Sequence, residues 1–361
     1  MRLPKWLLRR SHPAGLLAPP VEPLPSQVRW RIPEFSPPRT IAASDAAYWP
    51  WGLKLGGIDR AWLKSKGAGV RWAVLDTGID AAHVDFSGRL AAMRDFSGSA
   101  YGTDDRSGHG THTAGTVGAA DNGRGAVGVA PEVELVIGKV LGDDGSGSTA
   151  MIAQGVDWAL EQGVSGISLS LVSPYADPAL RAALLRATAR GVFVVGAAGN
   201  DGPRLNSVGY PGKWQDVSLT VGAVDEQGAL ADFSSRGPEV DCCGPGVGIL
   251  SCWPGGGYAV LSGTSMATPF VAGAIALMIS YRKSKGLPTV ASQAELEAEI
   301  RRTALHVGGK ERVDDWGWGI FSAEAILADA PIASVPDGPV SFGPFTLGGY
   351  SWLLTATPAK P

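Results

Sequence analysis

The chain has 361 residues, 45% hydrophobic and 18% charged, enough for one large α/β domain or two smaller ones. A net charge of −3 leaves no basic footprint for nucleic acid and no polybasic patch for a membrane surface. No apolar run reaches the roughly 18 residues of a membrane span, and the first residues carry only a short apolar run, Trp6–Leu8, where a secretory signal needs a longer one. The chain therefore reads as soluble and cytoplasmic. Its three cysteines, Cys242, Cys243 and Cys252, are an odd count with two adjacent, and read as free thiols rather than a disulfide framework.

Residues 1–45 are rich in proline and arginine and cannot bury a core of their own, so they read as an extended arm. From 46 to 330, strand and helix patterns alternate. Val70–Leu75, Glu134–Val140, Gly166–Leu171, Val192–Ala197 and Ser218–Ala223 are short apolar, β-branched runs that suit strands buried on both faces. Thr149–Gln162 and Pro178–Arg190 have helical spacing and end before Gly163 and Gly191, suited to C-terminal caps. Ala267–Arg282 is apolar nearly all round and predicts a buried central helix; Gln293–Thr303 is amphipathic. This alternation predicts a single main α/β domain, a parallel sheet with helices on both faces, whose site lies at the carboxyl ends of the strands. Beyond about 330 the composition changes again. Short β-like runs follow, as at Ser351, and form an extension (331–361) of unassigned role.

Four residues carry candidate chemistry. Asp76, in Val74-Leu-Asp-Thr-Gly, ends the first strand of the domain and is either a turn-capping carboxylate or a functional one. His109, in Gly108-His-Gly-Thr-His-Thr-Ala-Gly, starts a small-residue helix; with His112 it could also form a metal pair, although zinc catalysis favours i, i+4 spacing with an intervening Glu. Ser265, in Ser262-Gly-Thr-Ser-Met-Ala-Thr-Pro, stands at the start of the buried helix. It is either a cap or a nucleophile beside free N–H groups and the positive end of a helix dipole. Asn200, in Val195-Gly-Ala-Ala-Gly-Asn, is a turn residue or an amide donor to an oxyanion.

Together, in the order Asp, His, Ser, these blocks and Val208-Gly-Tyr-Pro-Gly-Lys resemble the subtilisin-like serine protease family over roughly 46–328. The resemblance implies an endopeptidase with an acyl-enzyme intermediate. Ser265 would attack, His109 would move the proton, Asp76 would orient the imidazole, and Ser265 N–H with Asn200 would hold the oxyanion. It also implies that a peptide pairs with the edge Ser170, Leu171, Val172, and that Ala197, Ala198, Gly199 and Gly209 line a roomy pocket favouring large apolar residues. Val172 departs from the usual Gly, and Phe270 from the usual His. Protein or peptide substrates follow; nucleic acid and membrane do not. Likeness of the last helix to intracellular members adds a possible homodimer.

The same resemblance implies a structural calcium site from Asp85 and Asn122 side chains and the carbonyls of Ala120, Arg124 and Ala126, with Asp45 a possible substitute for the family's usual N-terminal Gln. A plain surface turn, Ala119–Gly125, is the alternative. Arg31-Ile-Pro-Glu-Phe35 resembles the inhibitory motif of intracellular members, with Glu34 inserted, and the arm reads either as inhibitory or as a linker. Two other functions compete: a degenerate fold that only binds, against which the complete set of four residues argues, and an esterase, against which the peptide-binding edge argues.

Overall fold

The computed structural model describes residues 28–41, 47–48, 50–306, 312–328, 340–347 and 350–356, with backbone only at 47–48 and beyond 340. The first 27 residues of the arm, and Asp45, lie outside the described residues. Two strands come from the arm, β1 (Arg29–Arg31) and β2 (Arg39–Ile41). The domain adds β3 (Arg71–Asp76), β4 (Leu90–Asp95), β5 (Glu134–Lys139), β6 (Ser146–Ser148), β7 (Gly166–Leu169), β8 (Phe193–Ala197), β9 (Leu219–Val224) and β10 (Cys242–Pro245). A hairpin, β11 (Ile249–Trp253) and β12 (Gly257–Leu261), follows. The tail ends in a second hairpin, β13 (Val340–Leu347) and β14 (Tyr350–Ala356).

The main sheet has seven parallel strands in the order β10-β9-β8-β7-β3-β5-β4. Successive side chains of a strand leave on opposite faces, and the core divides accordingly. Trp72 and Val74 enter one layer with Ile137, Val195 and Val221; Ala73 and Leu75 enter the other with Val136, Ile167 and Val194. The first layer is closed by α1 (His109–Gly118), while α2 (Thr149–Glu161) and α3 (Pro178–Thr188) close the second. The first layer also holds α4 (Thr264–Lys285) and α5 (Gln293–Thr303). The expected sheet with helices on both faces is therefore present.

Local chemistry explains the helix limits. Ser148, Asp177 and Ser292 each accept an N–H of the first turn, at α2, α3 and α5. Gly163 and Gly191 follow α2 and α3 in the left-handed region, as their sequence positions suggested. Helix α4 is long and apolar enough to cross a membrane, but its apolar span is wholly buried in the domain. It lies close to its neighbours: a Cβ on Gly273 would come within 2.7 Å of Val129. The three cysteines are buried free thiols, their ionisation pushed up by burial first.

Candidate functional site

Strand β3 ends at Asp76, and α1 begins at His109, so the carboxyl end of a central strand and the helix start meet. His109 Nδ1 lies 2.8 Å from Asp76 Oδ1, which also accepts from Thr77 N at 2.7 Å; Thr113 Oγ1 donates to Asp76 Oδ2 at 3.2 Å. Asp76 has no Lys or Arg partner among the described residues, and both Asp76 and His109 are buried. Two glycines permit the approach. Gly108 has φ +89° and its Cβ would strike the Trp253 ring at 2.3 Å; a Cβ on Gly110 would meet the Gly78 carbonyl at 2.3 Å.

Asp105, which lies outside the sequence motifs, fastens this junction. Its Oδ1 accepts from Thr77 Oγ1 at 2.8 Å and Gly108 N at 2.8 Å, and its Oδ2 from Thr111 N and Thr111 Oγ1, both at 2.7 Å. One carboxylate thus ties the residue after Asp76 to the first turn of α1. The signal was present, an Asp four residues before His109 at a helix start. Lys139, fully buried, adds a donor to the Thr77 carbonyl at 2.5 Å.

Ser265 is the second residue of α4, so its N–H is among the four without an intrahelical acceptor. Its Oγ faces the Ser170 carbonyl at 3.5 Å, while Ser170 Oγ donates to the Ser265 carbonyl at 3.0 Å. Asn200 Oδ1 accepts from Thr264 N at 2.9 Å and Thr264 Oγ1 at 2.8 Å. With the oxygen so engaged, the amide orientation follows, and Nδ2 is left as a donor toward the cleft. Ala197, Ala198 and Gly199 run from the end of β8 to Asn200. Gly209 N donates to the Ala198 carbonyl at 2.9 Å, and Ser173 and Tyr210 exchange backbone bonds of 3.0 and 2.8 Å. These bonds bring 170–172, 197–199 and 209 to one place. Val172 Cβ would stand 3.1 Å from a Cβ on Gly209, so the unusual valine leans over the pocket wall.

A peptide already lies in this cleft. The arm runs between β6 and the 170–172 edge. Arg31 N donates to the Val172 carbonyl at 3.0 Å and Val172 N to the Arg31 carbonyl at 2.8 Å; Ile32 N donates to the Gly145 carbonyl at 3.1 Å. On its other edge β1 pairs antiparallel with β6, Trp30 opposite Gly147. Asn200 Nδ2 donates to the carbonyl of Glu34. The Phe35 ring sits 5.3 Å from the His109 ring, and His109 Nε2 is buried with no partner among the described residues. Ser36 then bonds Ser262 in both directions, and β2 continues the hairpin sheet beside β12. Both His109 and Ser265 have 0% exposure under this strap.

His112 has no role in the cleft. Its Nε2 donates to the carbonyls of Ile249 and Ala259 at 3.0 and 3.1 Å, and burial, the largest cause, lowers its pKa to about 3. His112 Nε2 is thus engaged by backbone carbonyls and His109 Nδ1 by Asp76. Asp85 is fully buried and has no basic partner among the described residues. Its Oδ1 takes Asn122 Nδ2 at 2.8 Å and its Oδ2 takes Tyr258 OH at 2.9 Å. Nearby, His83 Nδ1 accepts from Asp85 N and Nε2 faces the Gly257 carbonyl, so that imidazole is already committed. Asn122 Oδ1 accepts from Arg124 N and the Ala120 carbonyl from Asn122 N, both at 3.1 Å, so a cation would have to draw these oxygens in beside the Asp85 carboxylate.

Comparison with known proteins gives a consistent result. The Subtilase family (Peptidase S8) matches residues 67–319. "Intracellular serine protease" from Paenibacillus polymyxa is 41% identical over 275 residues, 74% of this chain and 84% of that one. Subtilisin DY from Bacillus licheniformis is 41% identical over 279 residues, covering 76% and 97%. Subtilisin Savinase from Lederbergia lenta is 42% identical over 277 residues, again covering 76% and 97%.

Proposed function

The chain belongs to the subtilase family and is a serine endopeptidase, and from this premise we propose that Ser265 is its nucleophile, His109 its general base and acid, and Asp76 the group that fixes the imidazole. Ser265 Oγ attacks the scissile carbonyl as its proton passes to His109 Nε2. The tetrahedral intermediate expels the amine, which takes that proton, and leaves an acyl-enzyme that water hydrolyses by the same relay. Asp76, bonded to Nδ1, selects the tautomer whose Nε2 is free to accept and stabilises the imidazolium. Asn200 Nδ2 and the Ser265 N–H receive the oxyanion.

The observation that carries this reading is the strap itself. A backbone carbonyl, that of Glu34, rests on Asn200 Nδ2 while Arg31 pairs with Val172 as an added strand. Substrates would take the same path, their apolar side chains received between 197–199 and Gly209, with Val172 narrowing one side. The same occupancy makes residues 28–41 an autoinhibitory arm. Pro33 has no N–H to offer the edge, and Phe35 covers His109, so the arm blocks the cleft it imitates. Calcium held by Asp85, Asn122, Ala120, Arg124 and Ala126 would supply a positive charge that ties the loop after α1 to the buried carboxylate.

Ser265→Ala tests the central assignment. It should lower kcat by about 10⁶, the figure found in subtilisin itself, without unfolding the chain. Digestion of a denatured protein by this variant at a tenth of the wild-type rate would remove Ser265 from the role.

A further inference from the structure

Trp30 enters the cleft from the arm and is buried to 0% exposure, among the largest fully enclosed side chains of the molecule. Its ring shares a cluster with Leu141, Ile152 and Leu171 and stands 6.4 Å from the Trp214 ring. What distinguishes the pocket is polar. Trp30 Nε1 donates to Thr149 Oγ1 at 3.0 Å, and Thr149 Oγ1 donates its only proton to Asp177 Oδ2 at 2.7 Å. A hydroxyl whose proton is committed offers only lone pairs, so at this wall Thr149 accepts and cannot donate. Its position is fixed as well: it opens α2 directly after the cap Ser148, and Asp177 caps α3 through its other oxygen, which accepts from Ala179 N at 2.8 Å.

Resting on the reading of this cleft as the substrate path, we propose that Thr149 is a specificity-determining residue that selects tryptophan in substrates. The pocket filled by Trp30 would be an indole subsite. An apolar cage alone takes any large ring with little discrimination. A fixed acceptor in the cage favours the ring that carries an N–H, because phenylalanine leaves that acceptor without a partner. Tyrosine places its hydroxyl at the far end of the ring, away from the edge that Thr149 meets. The arm is then a strap whose sequence states the preference of the site it closes.

Two measurements test this. In the full chain, closure is read as the rate at which an organophosphonate labels the active serine. Trp30→Phe and Thr149→Val should each speed labelling about 5–30-fold, the range one such hydrogen bond supplies, and the double variant should equal either single one. Thr149→Ser, which keeps the hydroxyl, should label as slowly as the parent. In chains opened by Phe35→Ala, paired peptides identical except for Trp or Phe should be compared, the aromatic walked through the third to sixth residues before the cut. Trp should be favoured about 5–30-fold in kcat/KM at one position, and Thr149→Val should bring that ratio to about one. A ratio near one in the parent, or one unchanged by Thr149→Val, would overturn the proposal. Failure to cut either peptide would instead sink the proteolytic reading beneath it.

Discussion

Asn200 serves the cleft through one amide with two ends. Thr264 holds the oxygen, and that leaves the nitrogen aimed at whatever carbonyl enters. Asn200→Ala should therefore lower kcat by about 10²–10³, the range found for such a donor in subtilisin itself, with KM little changed, since the bond is made mainly in the transition state. A change confined to KM would show that Asn200 only shapes the pocket. His112 is neutral in the fold, its pKa lowered to about 3 from 6.5, first by burial. Its contribution to stability is complete above pH 6.5, where both states are unprotonated. It is lost as the pH falls toward 3, because the unfolded chain then binds a proton the folded one refuses. Within that window this one group contributes about 1.4 kcal/mol of stability per pH unit. In a Ser265→Ala background, His112→Gln should flatten the pH dependence of stability between 6 and 4 by that amount; parallel curves for the two proteins would contradict it. At this scale the sequence motifs named candidate groups but not the residues that hold them in place. Asp105, Thr264 and Lys139 work through bonds to residues distant in the chain, and no local spacing displays such bonds.

Strands buried on both faces and helices with a clear apolar face and end signals were the legible elements. Strands β3, β5, β7, β8 and β9 and helices α2, α3 and α5 lie where continuous apolar runs and capping residues put them, within a residue or two at most ends. Strand β4 was missed because it is the sheet's edge and its side chains are largely exposed, so Leu90–Asp95 has no continuous apolar run. Strand β10 was missed because it reads Cys-Cys-Gly-Pro, and only its pairing with β9 on one side and with residues 319–321 on the other makes it a strand. Helix α4 starts at Thr264, three residues ahead of the apolar pattern, because Asn200 rather than a local side chain receives the Thr264 N–H. The loop between α1 and β5 is the element on which calcium would act. Chelation should lower the melting temperature, since an ion bound by the native state alone stabilises it by mass action, and Asp85→Ala should make the melting curve indifferent to calcium. Coincident curves for the parent with calcium and with chelator would dismiss the site.

For the whole molecule, the decisive relation is between the arm and the cleft, which are far apart in sequence. The arm's proline content announced an extended segment, but composition could not tell an inhibitory strap from a linker. What decides is the partner: unpaired backbone at 170–172 and 145–148 on one side, and an extended segment able to satisfy it on the other. Proline in the arm reduces the entropy lost on docking, and tethering raises its local concentration to about the millimolar range. Individually modest contacts would then suffice to keep the site closed, as proposed. Release of the arm, by cleavage or by weakening its anchors, should uncover His109 and let Ser265 Oγ turn from the Ser170 carbonyl toward His109 Nε2, which has no partner among the described residues. The most direct measurement labels the active serine with an organophosphonate and compares the intact chain with the Trp30→Ala, Phe35→Ala double variant. The reagent should label Ser265 in both, at least about 10-fold faster in the variant, with peptide hydrolysis rising in parallel. Equal labelling rates would contradict closure by the arm, and label on any residue other than Ser265 would contradict the catalytic assignment.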